Sequence, residues 1–140
     1  MRVSAKVDYA LRAMAELASA TQVPVTAERL ATAQAIPPKF LESILLELRR
    51  GGLVVSQRGA EGGYRLGRAA AEITVADVIR AVEGPIATIR GVRPEEVSYS
   101  GSATALREVW IDLRTAMRGV LEETTLADVV TRSSGAEEAD

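Results

Sequence analysis

The 140-residue sequence predicts a mostly α-helical fold with a small β-hairpin, in which a winged helix-turn-helix domain precedes a long C-terminal dimerisation helix. Three observations support this prediction. Segments with helical apolar periodicity fill the first 50 residues, a glycine-rich hairpin pattern follows at 51–66, and a wide apolar stripe begins near Ser102. Helices followed by such a hairpin are the element order of a winged helix-turn-helix, whose third helix enters the major groove of DNA.

The first two helices are predicted from cap residues and apolar spacing. Ser4 can cap a helix that ends near Ala20, and Thr26 can cap a short second helix after a linker that contains Pro24. The residues expected to face the core recur at three- and four-residue steps. They are Val7, Ala10, Leu11, Met14, Leu17 and Ala18 in the first helix and Ala27, Leu30 and Ala31 in the second.

The third helix and the hairpin after it form the predicted recognition unit. Pro37 and Pro38 suit the first turn of a helix, where a missing N–H costs little. The predicted apolar stripe is Phe40, Leu41, Ile44, Leu45 and Leu48, and the exposed side holds Lys39, Glu42, Ser43, Glu47, Arg49 and Arg50. Gly51 and Gly52 can end this helix. Strands at 53–57 and 64–66 would then enclose a loop whose three glycines permit positive backbone dihedrals.

The second half of the chain is predicted to supply a dimer interface. Thr74 can cap a fourth helix that Gly84 and Pro85 end, and residues 85–101 form a long loop. A helix of roughly 20 residues, about 30 Å long, then begins near Ser102. Its apolar stripe is Leu106, Val109, Trp110, Leu113, Met117, Val120 and Leu121.

A helix of that length exceeds what a small winged domain can cover, so we expect its stripe to pack against a second copy in a symmetric homodimer. The alternative is that the helix folds back wholly on its own domain. Thr125 can cap a final short helix, and the acidic tail at 132–140 is expected to be disordered.

Composition excludes most catalytic chemistry. The sequence contains no Cys and no His, which removes disulfides, thiolate nucleophiles, the usual zinc ligands and histidine-dependent triads, so we predict neither an enzyme nor a cofactor. It has no membrane-spanning apolar run and no secretory leader, so we expect a cytoplasmic protein.

Charge is distributed unevenly along the chain. Residues 1–70 carry ten basic and six acidic side chains, a net charge of +4, and residues 71–140 carry seven and thirteen, a net charge of −6. A basic first half is compatible with a nucleic-acid face, although an ordinary fluctuation explains an imbalance of this size equally well.

Five segments carry a resemblance to a known family: MRVSAKVDYALRAM at the start, IPPKFLESILLELRRGGLV in the third helix, SQRGAEGGYRLGR at the wing, ITVADVIRAVEG in the fourth helix and ALREVWIDLRTAM in the long one. Together they resemble the Rrf2 family of bacterial winged-helix transcription regulators, from residue 1 to about Val130. The resemblance implies a winged helix-turn-helix DNA-binding domain at 1–83, a regulatory loop at 84–101 and dimerisation helices at 102–131.

The resemblance also implies DNA contacts, carried over by position. They are Pro38, Lys39, Glu42 and Ser43 at the start of the recognition helix, Arg58 and Gly59 in the wing, and Ser4, Lys6 and Tyr9 at the first helix. Lys39 and Ser43 suit phosphates or base edges, Glu42 could accept from a cytosine amino group, and Arg58 suits a narrow minor groove. As alternatives, Arg58 is a solvated hairpin charge and Tyr9 simply packs. Phe40 is interpreted as a core residue.

The chain departs from the family in the regulatory loop. Iron–sulfur members carry three cysteines there, whereas the stretch ATIRGVRPEEVSYSGSATAL has none, so no cluster can bind by that route. Glu95 and Glu96 are interpreted as a solvated pair. Arg90, Arg93, Tyr99 and Trp110 could line a pocket for an anionic or aromatic effector, but a surface loop and a core tryptophan explain them equally well.

These observations predict a sequence-specific, dimeric transcription regulator that represses at a palindromic operator without an iron–sulfur cluster. Its partners would be double-stranded DNA, a second copy of the chain and, where a signal is read, a small-molecule or protein effector. The alternative is a winged-helix protein-interaction module that has lost DNA binding.

Overall fold

Helices and one antiparallel hairpin make up the protein, which a computed structural model describes over residues 1–139, with side chains to residue 136. In chain order the elements are α1 (Ala5–Ser19), α2 (Ala27–Gln34), α3 (Pro38–Arg50), β1 (Val54–Gln57), β2 (Gly63–Leu66), α4 (Val75–Glu83), α5 (Leu106–Leu121) and α6 (Leu126–Ala139). Short 3-10 turns lie at Ala70–Glu72, Pro94–Glu96 and Gly101–Ala103. This architecture confirms the predicted fold class.

The predicted N-caps of α1, α2 and α4 are formed. The hydroxyls of Ser4, Thr26 and Thr74 each accept a hydrogen bond from the backbone N–H three residues further on, at 3.0–3.2 Å. The Asp77 carboxylate in turn accepts from the N–H of Thr74 at 3.0 Å, which completes a capping box. Each bond satisfies an N–H that has no partner within its own helix.

One hydrophobic core fills the space between α1, α2, α3 and α4. Its fully buried side chains include Met14, Leu30, Leu41, Ile44, Leu45, Leu48 and Val78. Four of these belong to α3, so one face of that helix is fixed against the domain and the opposite face is left to solvent. No helix within residues 1–139 combines the length and hydropathy needed to cross a membrane.

The start of α6 returns to the winged domain. The N–H of Leu126 donates to the carbonyl of Ile73 and the N–H of Val75 donates to the carbonyl of Thr124, both at 2.9 Å. Leu126 is 1% exposed and joins the same core as α1. We predicted that α5 and α6 share a dimerisation role, but α6 is attached to the winged domain of its own protomer from its first turn.

The predicted disordered tail at 132–140 differs from the structure, in which α6 continues to Ala139. Thr125 and Asp128 form a second capping box. The N–H of Thr125 donates to the Asp128 carboxylate at 2.9 Å, and the N–H of Asp128 donates to the Thr125 hydroxyl at 3.1 Å. A helix that starts this firmly continues through Ala and Glu, which favour the helical state. Residue 140 of the predicted tail lies outside the described residues.

α5 is shorter than predicted and is not covered by its own protomer. It spans 16 residues, about 24 Å, because a 3-10 turn and the uncapped Ala105 precede it. Arg114 is the buried residue of this helix. Val109 and Val120 are 50% and 64% exposed. The predicted apolar stripe is thus present but only partly shielded within one chain.

Candidate nucleic-acid interface

The exposed face of α3 carries the residues that we predicted to meet DNA. Lys39, Glu42 and Ser43 are exposed, as is Pro38 in the first turn. Residues 39, 42, 43 and 46 are neighbours on one side of an α-helix. Leu46, which is 40% exposed, also belongs to this face and was missed in the sequence, although the same spacing could have found it. An apolar side chain here can contact a thymine methyl group.

The wing extends from the end of α3 and exposes its arginine. β1 and β2 pair antiparallel with Gln57 opposite Gly63, and both Arg58 and Gly59 are exposed in the loop between them. The Arg49 guanidinium donates to the Ser56 hydroxyl at 3.3 Å, which links α3 to β1. Recognition helix and wing are therefore joined side by side.

A backbone bridge to the segment before α2 fixes the base of the wing. Val25 and Tyr64 exchange two hydrogen bonds, of 2.7 and 2.8 Å. Gly63 has a φ of 151°, and a Cβ at this position would lie 2.5 Å from the carbonyl oxygen of Val25. Because only glycine tolerates both the conformation and this approach, the attachment of the wing depends on Gly63.

Two of the three residues predicted for DNA contact in α1 are engaged within the protein. Ser4 caps its own helix. Lys6 places its Nζ 2.7 Å and 2.8 Å from the two carboxylate oxygens of Glu47, and both side chains are about one-third exposed. This ion pair joins α1 to α3. In the free protein Lys6 thus holds the recognition helix rather than presenting an unmatched charge.

Tyr9 supports the start of the recognition helix. Its ring meets that of Phe40 edge to face, with centroids 5.4 Å apart. Our assignment of Phe40 to the core is wrong, because the side chain is 43% exposed and leans on Tyr9 at the edge of the domain. Arg12, which the sequence did not single out, lies 4.6 Å from the Tyr9 ring centroid and donates to the carbonyl of Gln34 at 2.8 Å.

Further cationic side chains are exposed on α3 and the hairpin. Lys39, Arg49, Arg50, Arg58 and Arg65 are all exposed on α3 and the hairpin. Arg65 lies on β2 opposite Val55 and was also missed, although the alternation of a short strand could have indicated it. Exposed basic groups on a helix and an adjoining wing suit the negative phosphate backbone of duplex DNA.

The loop before α5 is bound to that helix by side-chain hydrogen bonds. Arg114 donates two hydrogen bonds to the carboxylate of Glu95, one of them at 2.8 Å, and Arg107 donates to the Glu95 carbonyl at 3.1 Å. The hydrogen bond from Arg114 above all, together with one from the backbone of Glu95 itself, lowers the pKa of the Glu95 carboxyl to about 2. Glu95 and Glu96 are both exposed, as interpreted from the sequence, but Glu95 is also paired with Arg114, a residue too distant in the chain for local patterns to indicate.

Two concave regions flank this loop. The first, which we name the arginine cavity, has a volume of about 470 Å³ and is lined by Arg80, Arg93, Glu95, Arg114, Arg118 and residues 84–88. The second, which we name the apolar groove, has a volume of about 780 Å³ and lies between the chain start, residues 85–89 and α5.

The four residues suggested for one effector pocket do not line a single cavity, although two of them are in contact. Arg93 lines the arginine cavity, Trp110 lines the apolar groove, and Arg90 lines neither. The Trp110 indole N–H donates to the Tyr99 hydroxyl at 2.9 Å.

Comparison with known proteins places these features in a wider group. Residues 3–132 match the model of a family described as Rrf2, iron-dependent transcriptional regulator. A candidate HTH-type transcriptional regulator of Mycobacterium tuberculosis is 54% identical over 130 residues, which cover 92% of this chain and 81% of the relative. CymR, an HTH-type transcriptional regulator of Bacillus subtilis, is 39% identical over 99% of this chain and 96% of its own.

Solved structures show the same relationship. The structure of B. subtilis CymR, described as the global cysteine regulator, matches with a TM-score of 0.80 and 38% identity over 94% of this chain and 98% of that one. The structure of T. potens IscR matches with a TM-score of 0.80 and 33% identity over 97% of this chain and 90% of that one.

The side chains present do not fit the iron chemistry that the family description names. The sequence has neither Cys nor His. Within the described part of the chain, no three acidic side chains are grouped as metal ligands would be. Glu95 in the loop before α5 is already paired with Arg114. Thiolate and imidazole ligation of a metal or cluster by this chain is thereby removed.

Proposed function

The chain belongs to the Rrf2 family of transcriptional regulators, and we propose that it acts as a homodimeric repressor that binds a palindromic DNA operator through paired winged domains. It shares their DNA-binding fold, and the relatives are regulators rather than enzymes. What the proposal adds is the dimer, the symmetric operator, repression and the residues that touch DNA.

The observation that carries the DNA-binding proposal is the joint surface of α3 and the wing. α3 buries Leu41, Ile44, Leu45 and Leu48, and so turns Lys39, Glu42 and Ser43 outward. Helix residues of these types can reach base edges and phosphates in a major groove. The exposed wing then extends Arg58 beside the helix, where a guanidinium suits the negative potential of an adjacent minor groove.

The dimer proposal is supported by the incomplete burial of α5. Leu113, Met117 and Leu121 are only half-buried, while Val109 and Val120 are at least half exposed. Leu113, Met117, Val120 and Leu121 form one wall of the apolar groove, whose opposite wall includes Val3, Val7 and Ile79. An elongated apolar surface of this kind on a soluble chain is typical of a protein interface. We assign α5 of a second copy as its occupant, because a two-fold axis presents the same stripe to itself.

The proposed regulator operates without a thiolate-held iron–sulfur cluster. The support is chemical, since no Cys or His exists in the 140 residues to bind iron in the usual way. Any signal would then reach the protein by another route.

A selection experiment with duplex DNA tests the proposal. Purified protein is incubated with a library of random duplexes, and the retained sequences are determined. We expect a palindrome whose half-sites lie about one helical turn, 10–10.5 base pairs, apart, with two protomers bound per duplex. Affinity should fall steeply as salt is raised.

A Lys39→Ala/Arg58→Ala double variant serves as the control and should enrich no sequence. Failure of the unmodified protein to retain any duplex at low salt would rule out the regulator and favour the protein-interaction module.

A further inference from the structure

The arginine cavity lies where three parts of the protein meet. Arg80 comes from α4 of the winged domain, Arg93 from the loop, and Arg114 and Arg118 from α5. Residues 84–88 form a less polar wall beside them. The volume of about 470 Å³ falls in the range of small-molecule sites, roughly 300–1,000 Å³. A molecule held here would contact the winged domain and the helix proposed for dimerisation at the same time.

Positive charge exceeds negative charge around this cavity. Arg114 pairs with Glu95, and Glu122 at the C-terminal end of α5 pairs with both Arg80 and Arg118, at 4.0 Å in the second case. With Arg93 included, four guanidinium groups lie near two carboxylates, which leaves a net excess of two positive charges. Such an excess attracts a multivalent anion.

Arg114 is the most deeply placed of the four arginines. Only 9% of its surface is exposed, and its Nε is buried without a hydrogen-bond partner among the described residues. That Nε has almost no surface open to the cavity, so Arg114 lines the cavity with a guanidinium that is already paired with Glu95.

The backbone of the adjoining loop is also held in a strained form. Ala87, which lines the cavity, has a φ of 57°, and Arg90 has a φ of 50°. Non-glycine residues in this left-handed region cluster at ligand sites and switch regions. The loop wall is thus fixed in a conformation that its own residues do not favour.

We propose that the arginine cavity binds a small anion bearing two or more carboxylate or phosphate groups, and that its occupancy changes the affinity for DNA. Guanidinium groups recognise both kinds of oxyanion through paired N–H donors. The second part rests on the proposed function. An anion that bridges Arg80 of α4 and Arg118 of α5 would couple the position of the winged domain to that of the dimerisation helix.

Calorimetric titration of the full chain with sodium citrate and, separately, with sodium pyrophosphate tests the binding site. Sodium chloride keeps the ionic strength equal in all samples. We expect saturable binding of at least one anion, and the comparison of the two decides between carboxylate and phosphate recognition. Arg93→Gln and Arg118→Gln should each weaken it about tenfold, the usual scale for one charged hydrogen-bond donor.

Arg90→Gln is the matched control, because Arg90 lies in the same loop but lines neither concave region. The anion affinity of this variant should equal that of the unmodified protein. Circular dichroism of each variant verifies that it is folded. The proposed site would be overturned if neither anion showed saturable binding. It would also be overturned if Arg90→Gln lost as much anion affinity as Arg93→Gln and Arg118→Gln.

DNA binding is measured on the same proteins with and without the anion. A shift in duplex affinity of at least fivefold that disappears in Arg93→Gln supports the coupling. If the anion binds but the affinity for duplex DNA is unchanged, the proposed coupling to DNA binding is overturned, whereas the proposed anion site is supported. Loss of duplex binding in every condition overturns the proposed function instead, while the calorimetric result still decides the site.

Discussion

Arg114 of α5 holds both carboxylate oxygens of Glu95, which lies 19 residues earlier in the loop. Arg107 adds a hydrogen bond to the Glu95 carbonyl, so the loop is attached to α5 by side chain and backbone together. The segment of 22 residues between α4 and α5 is fixed in addition by the buried side chains of Ile86, Pro94 and Val97. The pair positions the loop that walls both the arginine cavity and the apolar groove.

Removal of this ion pair should produce a pH-dependent loss of stability. Arg114 lowers the pKa of Glu95 from 4.5 to about 2, so the ionised carboxylate stabilises the folded state above about pH 5. That contribution is lost as the pH falls through 2. We expect Glu95→Gln to be less stable than the unmodified protein at pH 7 and the difference to shrink below pH 4.5. Urea unfolding at a series of pH values measures it.

Glu96→Gln is the control for this experiment, because Glu96 is exposed beside Glu95. It should match the unmodified protein throughout. A difference between Glu95→Gln and the unmodified protein that stays constant down to pH 3 would argue that packing, and not the charge of Glu95, is responsible.

Local signals in the sequence predicted most of the fold. The caps at Ser4, Thr26 and Thr74 and the burial of one face of α3 depend on neighbouring residues. The structure contains these caps and buries Leu41, Ile44, Leu45 and Leu48 of that face. The glycine-rich wing was predicted for the same reason, since its turn chemistry lies within a few residues.

Contacts between distant residues were not predictable in this way. Lys6 and Glu47 are 41 residues apart, and Glu95 and Arg114 are 19 apart. Each of these residues looks like a solvated charge when only its neighbours are considered. The assignment of Phe40 to the core was wrong for a related reason. Periodicity shows on which face of a helix a residue lies, but not how deeply that residue is buried.

Arg58→Ala should weaken operator binding by about 1–3 kcal/mol, if the guanidinium inserts in a minor groove beside the recognition helix. The side chain is exposed, so its removal should leave the stability of the fold unchanged. Fluorescence anisotropy with the selected duplex at fixed salt measures the effect. Arg132→Ala, an exposed arginine on α6, is the control; similar affinities for the two variants would mean that Arg58 is only a solvated charge.

Lys39→Ala should reduce the salt dependence of binding. A lysine that meets a phosphate contributes about 0.9 to the slope of log affinity against log salt, so the loss of one contact per protomer removes about two from a dimer. Titrations at several salt concentrations give the slope. An unchanged slope with weaker binding would instead assign Lys39 to a base edge, and an unchanged slope and affinity would remove it from the interface.

Gly63→Ala should loosen the wing. Alanine at a φ of 151° is strained, and its Cβ would collide with the Val25 carbonyl, so we expect a destabilisation of about 1–3 kcal/mol and weaker DNA binding. Gly135→Ala is the matched control, because Gly135 lies in α6 with open space around it and alanine favours a helix there. Chemical denaturation compares them, and equal stability of the two variants would contradict the proposed role of Gly63.

A charge placed on the α5 stripe should separate the protomers. Val109 and Val120 are 50% and 64% exposed in one chain, so glutamate at either position is solvated in a monomer but buried and unpaired in the proposed dimer. The burial of an unpaired carboxylate opposes association far more strongly than the loss of one valine contact. We expect Val109→Glu and Val120→Glu to be folded monomers that bind the full palindrome much more weakly.

Light scattering coupled to size-exclusion chromatography measures the mass of each variant. Thr115→Glu adds the same charge to an exposed residue of α5 outside the stripe and should remain dimeric. If the unmodified protein is itself a monomer at micromolar concentration, or if all three variants have the same mass, α5 folds against its own domain in solution. The operator would then be read by single winged domains, because the symmetric pairing of half-sites depends on the dimer.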